Sequence, residues 1–308
     1  MLRYVVRRVL QGIVVVFLVS LATFGMMQLA PGSPVDILIG EAQVTQVQID
    51  AIERKWGLDR PVYQQYLTWL GNVLTLDFGQ SVIRTGVPVG QMLLESAPMT
   101  IRLNLLALAL AAALAIPLGI VAAVRRYSPL DYASMVTATL GIALPNYWVG
   151  LMLIILFSLQ LGWLPPYGAT SWQGYVLPVA VLAFGEMAVL ARMARGATAD
   201  VLNQDFVTTA RAKGLRDGAV IRRHVVRNAL LPVVTLLGYR LAFVLSGTIV
   251  VESIFAWPGI GRLFIDSIYR LDYQVVQAIV LLLSTIVVVG NILTDLAYAY
   301  IDPRIRVG

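Results

Sequence analysis

The chain has 308 residues, of which 58% are hydrophobic and 13% charged, and its mean hydropathy is +0.78. An ordinary soluble domain carries about 25% charged residues, so this composition excludes a soluble enzyme and predicts a membrane protein with several spans. The sequence has no cysteine, which excludes disulfides, zinc–thiolate sites and thiol catalysis, and its single histidine argues against a histidine-rich metal site.

Six apolar runs are each long enough to cross a bilayer, which requires about 20 mostly apolar residues. The predicted spans are Val9–Ala30, the run between Arg102 and Arg125, Met135–Tyr167, Val176–Ala194, Ala229–Val251 and Tyr273–Leu296. The first run is longer than the core of a signal peptide and no clear cleavage site follows it. We therefore predict a retained first helix and an all-α membrane protein with six transmembrane helices.

The basic residues predict the orientation of these spans. Four segments on one side of the six-span arrangement hold the clustered cations: the N-terminus, the connection at 125–126, the segment 195–228 and the C-terminal tail with Arg304 and Arg306. On the other side, the segment 31–98 has seven acidic and four basic residues. Cytoplasmic connections carry the excess of Lys and Arg, so both termini are expected in the cytoplasm.

Residues 31–98, hereafter the outer segment, are too long to be a simple connection. Val44–Lys55, followed by Gly57, predicts a short helix with a glycine stop, and Pro61–Leu74 has the apolar spacing of a second, amphipathic helix. The segment could be a small cap packed on the spans. It could equally be a docking surface for a soluble partner.

Residues 195–228, hereafter the inner segment, predict two short helices joined by a glycine. Asp205 is expected to cap a helix from Phe206 to Lys213, with Gly214 in the left-handed position after it. Asp217 then begins a helix that leads to a basic cluster. The segment is interpreted either as a projection for a cytoplasmic protein or as an amphipathic hairpin that holds anionic lipid.

Motifs along nearly the whole chain resemble those of ABC-importer permeases, and specifically their dipeptide/oligopeptide/nickel branch. The inner segment reads DFVTTARAKGL at 205–215 and RHVVRNALLP at 223–232. Other matches are LAPGSP at 29–34, LDRP at 58–61, DFGQS at 77–81, VVESIF at 250–255 and WPGIG at 257–261. The long outer segment is similar to that of the first, B-type permease of a pair.

The resemblance implies a type I ABC-importer permease in the bacterial inner membrane that carries dipeptides or oligopeptides. It implies a second homologous permease subunit, two cytoplasmic ATPases that bind ATP and Mg, and an extracytoplasmic binding protein or lipoprotein. Nickel, glutathione or an antimicrobial peptide are alternative substrates within the family. The chain divides into residues 1–30 with the first helix, the outer residues 31–97, and a five-helix core at 98–308 with coupling helices at about 205–228.

The resemblance also implies that the inner segment couples the permease to the ATPases. Arg211 and Lys213 are expected to orient the docking electrostatically. Phe206, Val207 and Ala210 are expected to supply the apolar contact. The residues assigned to coupling are Asp205, Phe206, Val207, Ala210, Arg211, Lys213, Gly214 and Arg223.

Glu186 and Arg240 are the ionisable residues predicted near the middle of two spans. Each lies about eleven residues into its span, so at 1.5 Å per residue both are roughly 16 Å deep and an ion pair is possible. A charge at mid-bilayer costs at least about 2.5 kcal/mol if it faces lipid. The pair is interpreted either as a structural bridge or as part of the translocation path that meets the charged ends of a peptide.

The loop 252–272 combines aromatic bulk with glycine and proline. It could be an interfacial anchor, but we favour an outer gate that contacts the binding protein. The residues assigned to this gate are Glu252, Phe255, Trp257, Pro258 and Gly259.

Two other classes of protein remain as alternatives. An intramembrane enzyme would need paired catalytic groups within the spans, and none are convincingly placed. An autonomous channel would have no use for the inner segment. The chain also lacks a phosphate-binding P-loop, since neither Lys55 nor Lys213 follows such a glycine loop. We therefore expect no catalytic residue, no bound metal and no cofactor in this chain, and no nucleic-acid partner.

Overall fold

A computed structural model describes residues 2–29, 46–57, 59–245 and 248–301 of the chain. Regular structure in these residues is helical apart from one isolated bridge between Gln80 and Pro88. In chain order the helices are α1 (Leu2–Leu29), α2 (Gln46–Trp56), α3 (Val62–Leu74), α4 (Val89–Val124), α5 (Pro129–Ala143), α6 (Asn146–Gln160), α7 (Trp172–Leu202), α8 (Asp205–Ala212), α9 (Asp217–Ala242), α10 (Ile249–Ile254), α11 (Ile260–Tyr269) and α12 (Tyr273–Ile301). The last seven residues of α6 and residues Ile221–Val225 of α9 are wound as π-helix.

The described residues hold five or six membrane-spanning helices, in agreement with the six predicted spans. Continuous apolar stretches long enough to span occur in α1, α4, α7, α9 and α12, and α5 with α6 forms the sixth if the bent pair counts as one span. The orientation of the termini stays a prediction, because residues 302–308 with Arg304 and Arg306 lie outside the described residues.

The third predicted span, Met135–Tyr167, is not one straight helix. Helices α5 and α6 meet at an angle of 104°. Leu144 between them is extended, with φ −83° and ψ 127°, and Pro145 precedes the first residue of α6. A proline disfavours the helical conformation of the residue before it, so Leu144–Pro145 breaks the run although its apolar character continues.

The helix of the fifth predicted span, Ala229–Val251, ends earlier than predicted. Helix α9 already begins at Asp217 and ends at Ala242, and α10 starts only at Ile249. Arg240 therefore lies in the last turn of a helix and not in its middle. A cation is favourable there because it faces the negative end of the helix dipole.

Both helices predicted in the outer segment are present. Helix α2 ends next to Gly57, whose φ of +67° is the left-handed conformation expected of a glycine stop, and α3 follows Pro61. Residues 30–45, with the predicted PGSP motif, and Leu58 lie outside the described residues.

The chain forms two compact units, residues 1–99 with 259–308 and residues 100–258. This grouping differs from the predicted segmentation, because α1 belongs with the C-terminal helices. In the first unit α1 packs along α12, and an Arg8–Asp295 ion pair of 3.2 Å joins them. Tyr66 of α3 bonds Ser20 of α1 at 2.9 Å and packs against Phe24.

The outer segment is also hydrogen-bonded to the residue that precedes α12. The buried Ser81 hydroxyl donates to the carboxylate of Asp272, which is 3% exposed and accepts the backbone N–H of Val82. Gly79 approaches Gln274 so closely that a Cβ there would lie 2.5 Å from Oε1. The predicted DFGQS motif is therefore part of the internal packing of the first unit.

The second unit is built around α7, which packs against α5, α6, α9 and α10. Close contact with α5 requires a glycine. A Cβ on Gly141 would lie 2.8 Å from the Cβ of Ala188 and 3.1 Å from the carbonyl oxygen of Phe184. Small residues at such crossings let membrane helices approach closely.

Candidate functional site

The glycine turn of the inner segment has the predicted conformation. Gly214 has a φ of +80°, donates to the carbonyl of Arg211 at 2.9 Å, and is followed by a bond from Leu215 N–H to the carbonyl of Ala210 at 3.4 Å. These two bonds form a Schellman motif, which ends a helix with a residue in the left-handed region. The turn lets α9 leave α8 in a new direction.

The cap at the start of α8 differs from the prediction. Asp205 is the first helical residue, Gln204 occupies the N-cap position, and no side chain caps the helix there. The carboxylate of Asp205 still lies in the first turn, where the helix dipole favours an anion. The predicted helix is thus present, one residue earlier than expected at its start.

The inner segment has a small apolar core of its own. The buried members come from the end of α7, from α8 and from α9, and they are Val201, Val207, Ala210, Val220, Val225 and Ala229. Val207, Val220 and Val225 are 0% exposed. This core holds α8 and the start of α9 against the end of α7 as one folded element, hereafter the projection.

The burial of Val207 and Ala210 corrects their predicted role. Their side chains face the core of the projection, so they do not offer an apolar surface to a partner. Phe206 and Leu215, which are 37% and 45% exposed, do offer one. The same segment carries exposed cations: Arg211, Lys213, Arg216, Arg222, Arg223 and Arg227. Arg211 also pairs with Asp217, with Nε 2.9 Å from Oδ1.

A second ion pair, missed by sequence reasoning, is formed by the first residue of the inner segment. Arg195 of α7 donates from Nε to Asp131 Oδ1 at 2.5 Å and from Nη2 to Oδ2 at 2.8 Å. Asp131 also accepts the backbone N–H of Tyr127, and its side chain is 4% exposed. Bidentate pairs of this kind are among the strongest hydrogen-bonded contacts. The contact clamps α5 to α7.

A cavity of about 620 Å³ lies within the second unit. Its wall includes residues from two helix breaks. Leu144, Pro145 and Asn146 come from the break between α5 and α6, and Phe243, Val244 and Thr248 come from the break between α9 and α10. Irregular backbone at membrane depth is tolerated where it lines a cavity. The polar side chains of the wall are Asn104, Asn146, Glu186, Tyr239, Arg240 and Thr248.

The predicted proximity of Glu186 and Arg240 is present in this wall. Arg240 Nε lies 3.1 Å from Glu186 Oε2, and the side chains are 36% and 28% exposed. These two atoms are buried, yet the contact lacks hydrogen-bond geometry, and neither atom has another hydrogen-bond partner in the part of the chain that the structure describes. An unsatisfied buried polar atom costs about 1–3 kcal/mol.

Glu252, assigned to the gate, lies in the interior behind the cavity wall. It is 0% exposed, and its Oε1 accepts hydrogen bonds from Thr100 at 2.8 Å and Thr248 at 2.9 Å. Thr248 lines the cavity and also lies 3.5 Å from Asn104 Nδ2. Glu252 therefore holds cavity-lining residues in position.

The aromatic residues assigned to the gate are buried as well. Trp257 and Phe255 are 0% and 1% exposed, and Trp257 packs edge-on against Tyr175 with 4.5 Å between ring centroids. Phe255 also accepts Gly168 N–H through its carbonyl at 3.2 Å. Gly259 is buried and Pro258 is exposed. Of the five assigned residues, Pro258 is the one with an exposed side chain for a partner.

Comparison with known proteins gives the family. The model of the binding-protein-dependent transport system inner membrane component matches residues 115–307, and the model of its N-terminal part matches residues 1–103. The oligopeptide transport system permease protein AppB of Bacillus subtilis is 40% identical over 99% of this chain and 100% of its own length. The glutathione transport system permease protein GsiC of Escherichia coli K12 is 40% identical over 99% of both chains.

A solved structure shares the fold. A chain from an amino acid ABC transporter crystallised with histidines aligns with a TM-score of 0.51 at 18% identity, over 67% of this chain and 92% of that one. Together with the spans and the two family models, these matches show that the chain belongs to the inner membrane components of binding-protein-dependent transport systems, and so is a multi-pass ABC-importer permease, a transport subunit and not an enzyme.

Proposed function

We propose that this chain is the permease subunit of an ATP-driven importer of short peptides and that its inner segment receives the movement of the ATPases. The observation that carries the proposal is the folded projection at 201–229, which has an apolar core inside and exposed apolar and cationic residues outside. The name of the Bacillus relative supports an oligopeptide as substrate.

The proposed assembly has a second permease subunit, two cytoplasmic ATPases and an extracytoplasmic binding protein. Membership of the family supports the presence of ATPase and partner components. ATP and Mg would be bound by the ATPases, because this chain has no P-loop. The second permease would complete the path of which this chain forms half.

The proposed ATPase contact is centred on Phe206. Large side chains near the centre of a contact commonly contribute most of the binding energy, and Phe206 is the exposed aromatic residue of α8. The exposed cations of the segment would steer an acidic groove and make the association sensitive to salt. Val207 and Ala210 contribute by keeping α8 folded on its core, Asp205 by placing an anion in the first turn, and Gly214 by ending the helix.

Substitution of Phe206→Asp tests this assignment. We expect the permease to insert and fold normally, because Phe206 lies outside the core, but to lose copurification with the ATPases and ATP-driven peptide uptake in proteoliposomes. Val47→Asp is the matched control, since Val47 is 74% exposed on α2. Normal ATPase copurification and uptake in Phe206→Asp would contradict the proposed contact.

Glutathione is the second candidate substrate, because the Escherichia coli relative bears that name and is also 40% identical. Competition of unlabelled glutathione against labelled trialanine uptake separates the two. Nickel has no comparable support, since no group of three or more His, Cys, Asp or Glu side chains that could hold a metal occurs within the described ranges.

We also propose that residues 252–259 form part of an outer gate. Glu252, Phe255 and Trp257 would hold the loop through internal packing, and Gly259 would allow the chain to continue into α11. A binding protein would contact Pro258. Crosslinking from position 258 to the binding protein checks this, and absence of a crosslink in every nucleotide state would overturn it.

A further inference from the structure

The strongest unexplained feature is the contact between Glu186 and Arg240. Its two nearest atoms lie 3.1 Å apart without the alignment of a hydrogen bond, although the side chains have opposite charge and face the same cavity. A pair whose role is to lock two helices is expected to be aligned and closed, as Arg195–Asp131 is. Glu186 and Arg240 instead retain bonding capacity that another molecule can use.

The cavity around the pair has the properties of a binding site for a small polar molecule. Its volume of about 620 Å³ lies within the roughly 300–1,000 Å³ of typical ligand sites. Asn104, Asn146 and Tyr239 add neutral groups that can bond to an amide. Both helix breaks face this space, and interrupted helices of this kind surround the substrate sites of other transporters.

We propose that Glu186 and Arg240 form a binding site for a zwitterionic peptide in the translocation path. Arg240 binds the terminal carboxylate, Glu186 binds the terminal ammonium group, and the two side chains separate as the peptide enters. In the empty cavity each neutralises the other, so neither charge is left without a counter-charge. This inference rests on the proposed function and assigns the substrate contacts within this chain.

The two opposite charges allow the contribution of each end of the peptide to be measured separately. A peptide acetylated at its N-terminus has no charge for Glu186, and a peptide amidated at its C-terminus has none for Arg240. Glu186→Gln should therefore abolish only the preference for a free N-terminus over an acetylated one. Arg240→Gln should abolish only the preference for a free C-terminus over an amidated one. A merely structural ion pair would give no such correspondence.

The experiment measures peptide capture in the complete transporter, without binding protein, in nanodiscs. The variant Val189→p-benzoylphenylalanine places a photoreactive group on the cavity wall. Three labelled peptides are crosslinked: trialanine, N-acetyl-trialanine and trialanine amide. The parent of this comparison carries only the change at Val189, and three further variants add Glu186→Gln, Arg240→Gln or the double swap Glu186→Arg/Arg240→Glu. Glu95→Gln and Arg102→Gln on α4 are matched controls, because they remove exposed charges outside the cavity wall.

We expect the controls to capture trialanine as the parent does. Glu186→Gln should capture trialanine at least 5-fold less and no better than the acetylated peptide. Arg240→Gln should capture trialanine at least 5-fold less and no better than the amide. The double swap should fail to restore capture, because the other polar groups of the wall keep their positions.

Two results would overturn the inference: restored capture in the double swap, or losses that do not depend on which end is blocked. ATP-driven uptake of trialanine by the parent transporter with its binding protein is measured in parallel. Uptake without any capture at position 189 overturns this site but leaves the proposed function intact. Absence of uptake overturns the proposed function itself.

Discussion

Helix α7 carries two ion pairs nine residues apart, and they differ in almost every physical respect. Arg195–Asp131 is bidentate, with a carboxylate that is 4% exposed. Arg240–Glu186 is a single unaligned contact, with both side chains about one third exposed to the cavity. One pair is closed by two hydrogen bonds, and the other leaves bonding capacity free.

This difference suits α7 to the two roles proposed for it, in coupling to the ATPases and in peptide binding. Near Arg195, α7 is fixed to α5, and six residues later Val201 enters the core of the inner segment. A rigid end suits the transmission of movement. Near Glu186 the same helix forms the wall of a cavity, where a rigid, saturated pair could not exchange partners with a substrate.

The largest expected effect comes from breaking the closed pair. Arg195→Met leaves the carboxylate of Asp131 buried without its cation, which costs about 3–5 kcal/mol in such cases. The free energy of unfolding in mixed micelles measures this loss. Asp131→Asn combined with Arg195→Met should recover most of it, because the amide oxygen still accepts the Tyr127 N–H and no charge is buried. A loss below about 1 kcal/mol for Arg195→Met would show that the clamp is unimportant.

The next effect tests whether the rigid end extends into the inner segment. Ala210→Asp places a polar group at a core position that is 8% exposed and should destabilise the projection by about 1–3 kcal/mol, with loss of transport but normal membrane insertion. Limited proteolysis of the inner segment measures the unfolding. Ala212→Asp, at an exposed position of the same helix, is the control and should resist proteolysis like the parent. Equal resistance of Ala210→Asp would contradict the core.

A third substitution tests the helix contact between the two pairs. Gly141→Ala places a Cβ 2.8 Å from that of Ala188 and should cost about 1–3 kcal/mol through overpacking. Gly196→Ala on α7 is the control, because a Cβ there meets no atom within 4 Å. The midpoint temperature of unfolding should fall for the first variant and stay or rise for the second. A larger fall in the midpoint temperature for Gly196→Ala than for Gly141→Ala would contradict the close contact at Gly141.

The smallest effect on stability is expected at the open pair. Arg240→Gln should lower the free energy of unfolding by less than Arg195→Met does, because the contact that it removes is unaligned and partly exposed. The same micelle titration used for Arg195→Met makes the two pairs directly comparable. A loss as large as that of Arg195→Met would mean that both pairs are structural locks.

Much of this arrangement could be predicted from the pattern of apolar and charged residues. The number of spans follows from the number of apolar runs that are long enough to cross a bilayer. The Gly214 turn follows from a positive φ, which glycine adopts most readily. The break at Leu144–Pro145 also had a local signal in its proline. No such signal marked the end of α9 at Ala242, because an apolar run does not reveal where a helix stops.

The two ion pairs show where such prediction reaches its limit. Glu186 and Arg240 were paired correctly because isolated charges in apolar runs must find partners. Asp131 and Arg195 were missed, since both lie near charged connections where solvent could satisfy them. The burial of Val207 and Ala210 was missed for a different reason: a short helix does not reveal which of its faces is covered.

The sequence by itself determined the class of protein, the spans and the inner segment, because these depend on hydrophobicity, charge and backbone preferences along the chain. Only the tertiary structure decided which ion pair is closed, which faces a cavity, and which side of α8 is free for a partner. Those properties depend on distances of a few ångströms between residues far apart in the chain, and local preferences do not specify such distances.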